Sequence, residues 1–334
     1  MPDVQTMKID SLTIDPRRLW QGEDMWDGPI AFIDFDSTAQ VPQSLVIPPC
    51  PVIGLGSAAH PLAIWVDAVV EPPVTAEWLA RQVLAKPHTA SVIVQLLRVL
   101  PKLPVMEGLT VESLAYGLLQ SSAEHRAWIS ANSAPSRRPG NEGRVLLSKE
   151  GEMLVVTLDH PGSGNAIDRH MRDQLHKALT LAALDPSIHQ VSLRATGRTF
   201  SLGAELSEFG STSDPAIAHS IRSRTLPARA AARCAEKLDV HVRGGCVGSG
   251  LELAAFARRF TAASNAWFHL PELSMGILPG AGGCVSLTQR IGRQRAALMI
   301  LSGKRISARQ ALSWGLIDAI VDDPAGNEGG PDIV

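Results

Sequence analysis

From Arg144 onward the chain alternates between strand-like and helical hydrophobic patterns, and many of the changes fall at a glycine. That alternation limits the possible folds more than any other feature. RVLLSKEGEMLVVTLDHP reads as two short strands around a turn at Gly151, and HQVSLRATG, DVHVRG, RFTAAS and LIDAIVDD read as further strands. Between them lie helical patterns. Met171, Leu175, Ala178, Leu179 and Ala182 repeat at helical spacing, GLELAAFARR opens at a glycine-rich turn, and GRQRAALMILSGKR stops at Gly303. Ser307 with Gln310 predicts a capping box for SARQALSW, which ends at Gly315. Strands that alternate with helices predict an α/β class.

The clearest compositional break is ANSAPSRRPGNEG, residues 131–143. It predicts a linker between an N-terminal module, 1–130, and a core, 144–323, with a tail at 324–334. The second half of the module reads as helices. Thr75 is placed to cap TAEWLARQVLAK, TASVIVQLLRVL follows Pro87, Leu109–Gln120 forms a third helix, and Ser121 with Glu124 opens a fourth. PIAFIDFD and PPCPVIGLG, within 28–56, read as two strands. IWVDAVVEPP at 64–73 parallels GLIDAIVDDP at 315–324, either as a true internal repeat or as two edge-type strands of similar composition.

With 334 residues, 45% of them hydrophobic, the chain can bury a core. Its 31 basic and 33 acidic residues leave a net charge of −2, which supplies no field for nucleic acid. MPDVQTMKIDSL lacks the pattern of a signal peptide, and no segment approaches the roughly 20 apolar residues of a membrane span, so the expected location is cytoplasmic, with no membrane partner. Cys50, Cys234, Cys246 and Cys284 are scattered and His residues form no cluster, so no metal site is expected.

The chemistry concentrates in 248–283, a mostly apolar stretch that keeps Glu252 and Glu272. Gly248, Ser249 and Gly250 lead into a helix whose first N–H groups point outward and can hold an oxyanion. A second turn, at Gly203 and Ala204, can face the first, so that the amides of Ala204 and Ser249 clamp one carbonyl oxygen. Two nearby carboxyls then suit proton transfer. Taken alone, either glutamate is also what the first turn of a helix favours.

RTFSLGAEL (198–206), GSGLELA (248–254) and FHLPELSMGILPGAGG (268–283), with LSGKRISARQALSWGLIDAIV (301–321), resemble the signature regions of the crotonase, or enoyl-CoA hydratase/isomerase, superfamily over about 145–323. The resemblance implies a superhelix of repeated β-β-α turns. It places the oxyanion hole at Ala204 and Ser249 and the catalytic pair at Glu252 and Glu272, 20 residues apart. Leu202, Gly203, Gly248, Gly250, Phe268 and Gly280 complete the expected substrate-binding set. The implied reaction is hydration of a 2-enoyl-CoA. The resemblance also implies coenzyme A only as part of the substrate, no other cofactor, and assembly as a homo-trimer or hexamer.

Ser249 and His269 stand where the superfamily usually has glycine, His241 and Arg243 depart from its usual small residues and asparagine, and CVS follows GAGG in place of TQR. Isomerisation, another reaction of a thioester enolate, and a non-catalytic acyl-CoA-binding or assembly subunit are the alternatives. Residues 64–130 also resemble the superfamily's C-terminal helical region, moved to the front of the chain. The other reading of them is an unrelated helical appendage.

Overall fold

The structure, a computed structural model, describes residues 9–21, 26–37, 46–132 and 142–322. Most of the expected linker and all of the expected tail lie outside the described residues. The strands are β1 (Ala31–Asp34), β2 (Val52–Leu55), β3 (Ala68–Val69), β4 (Arg144–Glu150), β5 (Met153–Asp159), β6 (Gln190–Ala195), β7 (Leu238–Val242), β8 (Gly245–Val247), β9 (Arg259–Ala262), β10 (Trp267–His269), β11 (Ile306–Ser307) and β12 (Ala319–Ile320). The helices are α1 (Pro16–Gln21), α2 (Ala76–Ala85), α3 (Pro87–Val99), α4 (Val105–Gln120), α5 (Ala123–Ala131), α6 (Arg169–Leu184), α7 (Pro215–Thr225), α8 (Pro227–Arg233), α9 (Ser249–Ala254), α10 (Gly283–Ser302) and α11 (Ala308–Trp314).

The compact units do not follow the linear boundary expected at the linker. One unit comprises Met1–Ser136, Leu206–Thr225 and Leu270–Lys304; the other comprises Arg137–Glu205, Leu226–His269 and Arg305–Val334. The physical reason is the apolar stripe on the N-terminal helices, which needs a partner surface. α2, α3 and α4 find it on α10, and α4 also packs on α7. The approach of α4 to α10 is close: a side-chain carbon at Gly108 would lie 3.3 Å from Leu100 and Val285. Arg222 of α7 donates to the Ser113 hydroxyl at 2.9 Å and lies 4.4 Å over the Tyr116 ring, which ties α7 to α4.

Several helix starts are those predicted, whereas α4 begins at Val105, four residues before the expected Leu109. Thr75 accepts from Trp78 N–H, Pro87 occupies the first turn of α3, and Asp168 accepts from Met171 N–H at the start of α6. The fourth N-terminal helix differs: Ser122, one residue beyond the expected Ser121, is its cap, and the Glu124 carboxylate accepts instead from the backbone N–H groups of His88 and Thr89. Ser307 caps α11 as expected, while Gln310 donates to Ser313, so only half of the capping box forms. α10 begins nine residues before Gly292, where the sequence predicted its start, and kinks at that glycine (φ 78°). Its first half is buried on nearly all sides, which removes the amphipathic period that reveals a helix.

In the second unit β12, β9, β7, β6, β5 and β4 form one sheet, parallel except for the β4–β5 hairpin, and β11, β10 and β8 form another. After β7 the chain crosses to β8 and then α9. After β9 it crosses to β10. Successive turns thus place one strand in each sheet, which winds the chain into a superhelix.

The first unit holds a three-stranded parallel sheet, β1-β2-β3. It repeats the β7-β9-β12 arrangement. Ile53 and Gly54 pair with Ala68 and Val69 as Thr261 and Ala262 pair with Ala319 and Ile320. Asp67 exchanges bonds with Val52, N–H to carbonyl at 2.7 Å and carboxylate from N–H at 2.8 Å. Asp318 does the same with Phe260, at 2.7 and 2.6 Å. The likeness of the two ten-residue stretches is therefore one of register and bonding, beyond composition.

Asp67 is 1% exposed and also receives Arg98 at 2.6 Å and Arg293 at 3.2 Å. Removing it leaves both guanidiniums half-buried without their counter-charge, so Asp67→Ala is expected to destabilise the chain by about 3–5 kcal/mol, read as a lower urea midpoint. Asp67→Asn, which keeps an acceptor for Val52 N–H, is expected to lose less.

Candidate functional site

The predicted residues of the second unit come together around two turns. Ser201 forms a bridge with Cys246: its N–H donates to Gly245 (3.1 Å) and its carbonyl accepts from Val247 (2.9 Å). The Ser201 hydroxyl donates to Asn165 O and accepts from Gly203 N–H, which sets the next residues of the turn. Ile167 N–H donates to Gly203 O, and Glu205 N–H donates to Ile167 O. In such a parallel bridge the residue between, Ala204, directs its own N–H away from Ile167.

The second turn packs directly on the first. Gly248 (φ 45°) donates to His269 O and begins α9, whose first bond is Glu252 N–H to Gly248 O. The amides of Ser249, Gly250 and Leu251 thus stand at the helix start without an intrahelical acceptor. A side-chain carbon at Gly250 would lie 2.6 Å from that of Ser201, and one at Gly203 (φ 99°) would lie 3.4 Å from Val247 O. Glycine is required for the turns to approach this closely, and at Gly203 also for the backbone angle. The Ser249 hydroxyl is buried and has no hydrogen-bond partner among the described residues. Glu252, in α9, is 2% exposed between buried Leu251 and Leu253.

Two of the expected substrate-binding side chains sit in contrasting surroundings. Phe268 is wholly buried, edge-on to Phe260 at 5.8 Å, so its ring belongs to the interior packing. Leu202 is 44% exposed and covers Gly164 and Gly245.

Glu272 and Gly280 belong to the first unit. Glu272 opens a single 3-10 turn, Glu272–Met275, rather than an α-helix, and is 7% exposed. The turn closes on Gly276 (φ 71°), whose side-chain position is filled by the Glu124–His125 backbone at 2.7 Å. At Gly280 the corresponding space is filled by the Tyr116 ring. His125 Nδ1 lies 2.8 Å from Met275 O; a carbonyl only accepts, so Nδ1 carries the hydrogen. Gly282 and Val285 N–H donate to the two carboxylate oxygens of Glu112, at 2.8 and 3.1 Å. Neither Glu112 nor His125 was singled out in the sequence, although an acid in the apolar run TVESLAYGLL was a visible signal. Among the described residues no group of three His, Cys, Asp or Glu side chains is placed to hold a metal ion.

Residues 148–325 match the family described as enoyl-CoA hydratase/isomerase. The chain is 35% identical over 176 residues to the 2,3-dehydroadipyl-CoA hydratase of Escherichia coli, covering 53% of this chain and 68% of that one. It is 33% identical to the mevalonyl-coenzyme A hydratase of Beauveria bassiana, covering 51% of this chain and 64% of the relative. The crystal structure of an enoyl-CoA hydratase/carnithine racemase from Magnetospirillum magneticum superimposes with a TM-score of 0.50 at 28% identity, over 54% of this chain and 69% of that one. These matches span about two thirds of each relative's length.

Adding one methyl at Gly250 is expected to force the two turns apart and destabilise the chain by about 1–3 kcal/mol in urea unfolding. Gly162→Ala, where the new methyl meets nothing within 4 Å, is the control and is expected to stay near neutral.

Burial pushes His125 below the usual histidine range, opposed by its bond to Met275 O and aided by the charge of Lys86. The unfolded chain then holds that proton more tightly than the folded one. Stability from the neutral ring is complete above the unfolded pKa, about 6.5, and is lost as pH falls through the lower folded value. Urea midpoints measured from pH 7.5 down to 5 are expected to fall less steeply in His125→Asn, which keeps a donor and does not titrate.

Proposed function

Because the chain belongs to the enoyl-CoA hydratase/isomerase family, we propose that it adds water across the double bond of a 2-enoyl-CoA thioester, giving a 3-hydroxyacyl-CoA. The observation that carries this reading is the retention of two buried carboxylates, Glu252 and Glu272, together with two glycine-built turns in contact. A buried carboxylate is costly, and an acid with no task is poorly suited to an apolar interior.

In this reading the amides of Ala204 and Ser249 hold the thioester oxygen. As water attacks C3, charge moves onto that oxygen, and fixed N–H donors stabilise the enolate without having to reorganise. Glu252 and Glu272 hold the water; one takes its proton, and the other, Glu272, delivers a proton to C2. The thioester itself acidifies C2, so coenzyme A enters only as part of the substrate. A homo-trimer or hexamer in the cytoplasm and a place in fatty acid metabolism belong to the same proposal.

Residues 64–130 stand in for the family's C-terminal helices in this proposal. Two observations support it: β2–β3 repeats the register of β9–β12, and the helices that follow β3 pack on 270–304. An unrelated appendage would not be expected to reproduce the Asp67 bonding of Asp318.

Crotonyl-CoA added to the purified protein is expected to lose the absorbance of its conjugated thioester. Glu252→Gln and Glu272→Gln are each expected to slow that loss about 10²–10⁴-fold. Measurable thioester binding with no turnover in the wild type would overturn hydration and point to a different enolate reaction or to a binding subunit.

A further inference from the structure

We propose that Glu112 and His125, from α4 and α5, are positioning residues that hold Glu272 by gripping the two ends of the segment 272–285. The proposal rests on the reading of Glu272 as catalytic.

Between β10 and α10 the segment forms no strand, and bonds near its start close one short turn: Ser274 N–H to Pro271 O, Gly276 N–H to Leu273 O, and Ile277 N–H to Glu272 O. Its far end is the start of α10, where the capping residue is Gly282, with no side chain to offer. A helix start requires acceptors for its first N–H groups. Glu112 supplies them from another helix, one carboxylate oxygen to Gly282 and the other to Val285. At 1% exposure its carboxylate has to be hydrogen-bonded, so each partner fixes the other.

The near end is held by His125. Its Nδ1–H reaches Met275 O, three residues from Glu272, and its ring lies parallel to Trp128 at 5.9 Å with Phe209 edge-on at 6.3 Å. Gly276 rests on the α5 backbone with no room for a side chain. α5 is in turn fixed to the start of α3 by Glu124, which accepts from His88 N–H, Thr89 N–H and the Thr89 hydroxyl. The segment 272–285 is therefore anchored at its near end to α5, and through α5 to α3, and at its far end to α4. Displacement of a catalytic group by about 1 Å is enough to cost a large factor in rate.

The test compares kcat and KM for crotonyl-CoA in the full-length wild type, Glu272→Gln, Glu112→Gln, His125→Ala and His125→Asn, with urea midpoints for each. Glu112→Gln keeps one acceptor, and His125→Asn keeps a donor where Nδ1 stands. The expected result is a fall in kcat of about tenfold or more in Glu112→Gln and His125→Ala, KM within about twofold, and recovery in His125→Asn to within about threefold of wild type. Unchanged kcat in both Glu112→Gln and His125→Ala, or a loss matching only the lost folded fraction, overturns the proposal while leaving Glu272 in place. Unchanged kcat in Glu272→Gln overturns the reading of Glu272, and the proposal with it.

Discussion

Buried carboxylates bound to backbone N–H groups organise this chain. Each strand or helix that begins inside the protein leaves amides to be satisfied, and each buried acid needs donors. Asp168 holds Met171 at the start of α6 and Gly143 just before β4. Asp67 joins the ends of parallel strands, as the more exposed Asp318 does in the other sheet, and Glu112 caps α10. A carboxylate is worth more in these places than a neutral cap because the hydrogen bond is charge-assisted. The cost of burial is offset only while both partners stay in register, so these bonds also define where neighbouring segments lie.

The same principle explains why the N-terminal module and the segment 270–304 form one compact unit. The apolar stripes of α2, α3 and α4 need a partner, and α10, buried over most of its surface, needs several. Hydrophobic burial brings these surfaces together without direction, whereas Glu112, Arg98 and Arg293 supply it. Arg98 and Arg293 converge on Asp67, so the strand that repeats the β12 pattern is tied both to α3 and to α10. A piece of sheet with the register of the core has thus become the base for helices that act on another part of the chain.

Glycines are the second constraint, and they act only where backbones meet. Gly250 and Gly203 let two turns of the second unit touch, and Gly276 lets the Glu272 turn rest on α5. Elsewhere polar side chains do the finer placement. Ser201, through Asn165 O and Gly203 N–H, shapes the turn that leads to Ala204.

Local signals settled much of this in advance. Alternating patterns are sufficient for the β4–β5 hairpin and α6, and the stop at Gly303 follows from its freedom to adopt a left-handed conformation. The positions of Glu252 and Glu272 were legible because acids in apolar surroundings stand out. Their environments were not: Glu272 lies in a 3-10 turn held by groups about 150 residues earlier, and nothing local announces such partners. Ser122 displaced Ser121 as a cap because Glu124 found better donors in α3. The sequence by itself determined many of the strands and helices, the glycine turns and the positions of two acids in apolar stretches, since each follows from the properties of neighbouring residues. Only the tertiary structure decided that 206–225 and 270–304 join the N-terminal module, because burial and the pairing of distant N–H groups with carboxylates depend on contacts that no short stretch contains.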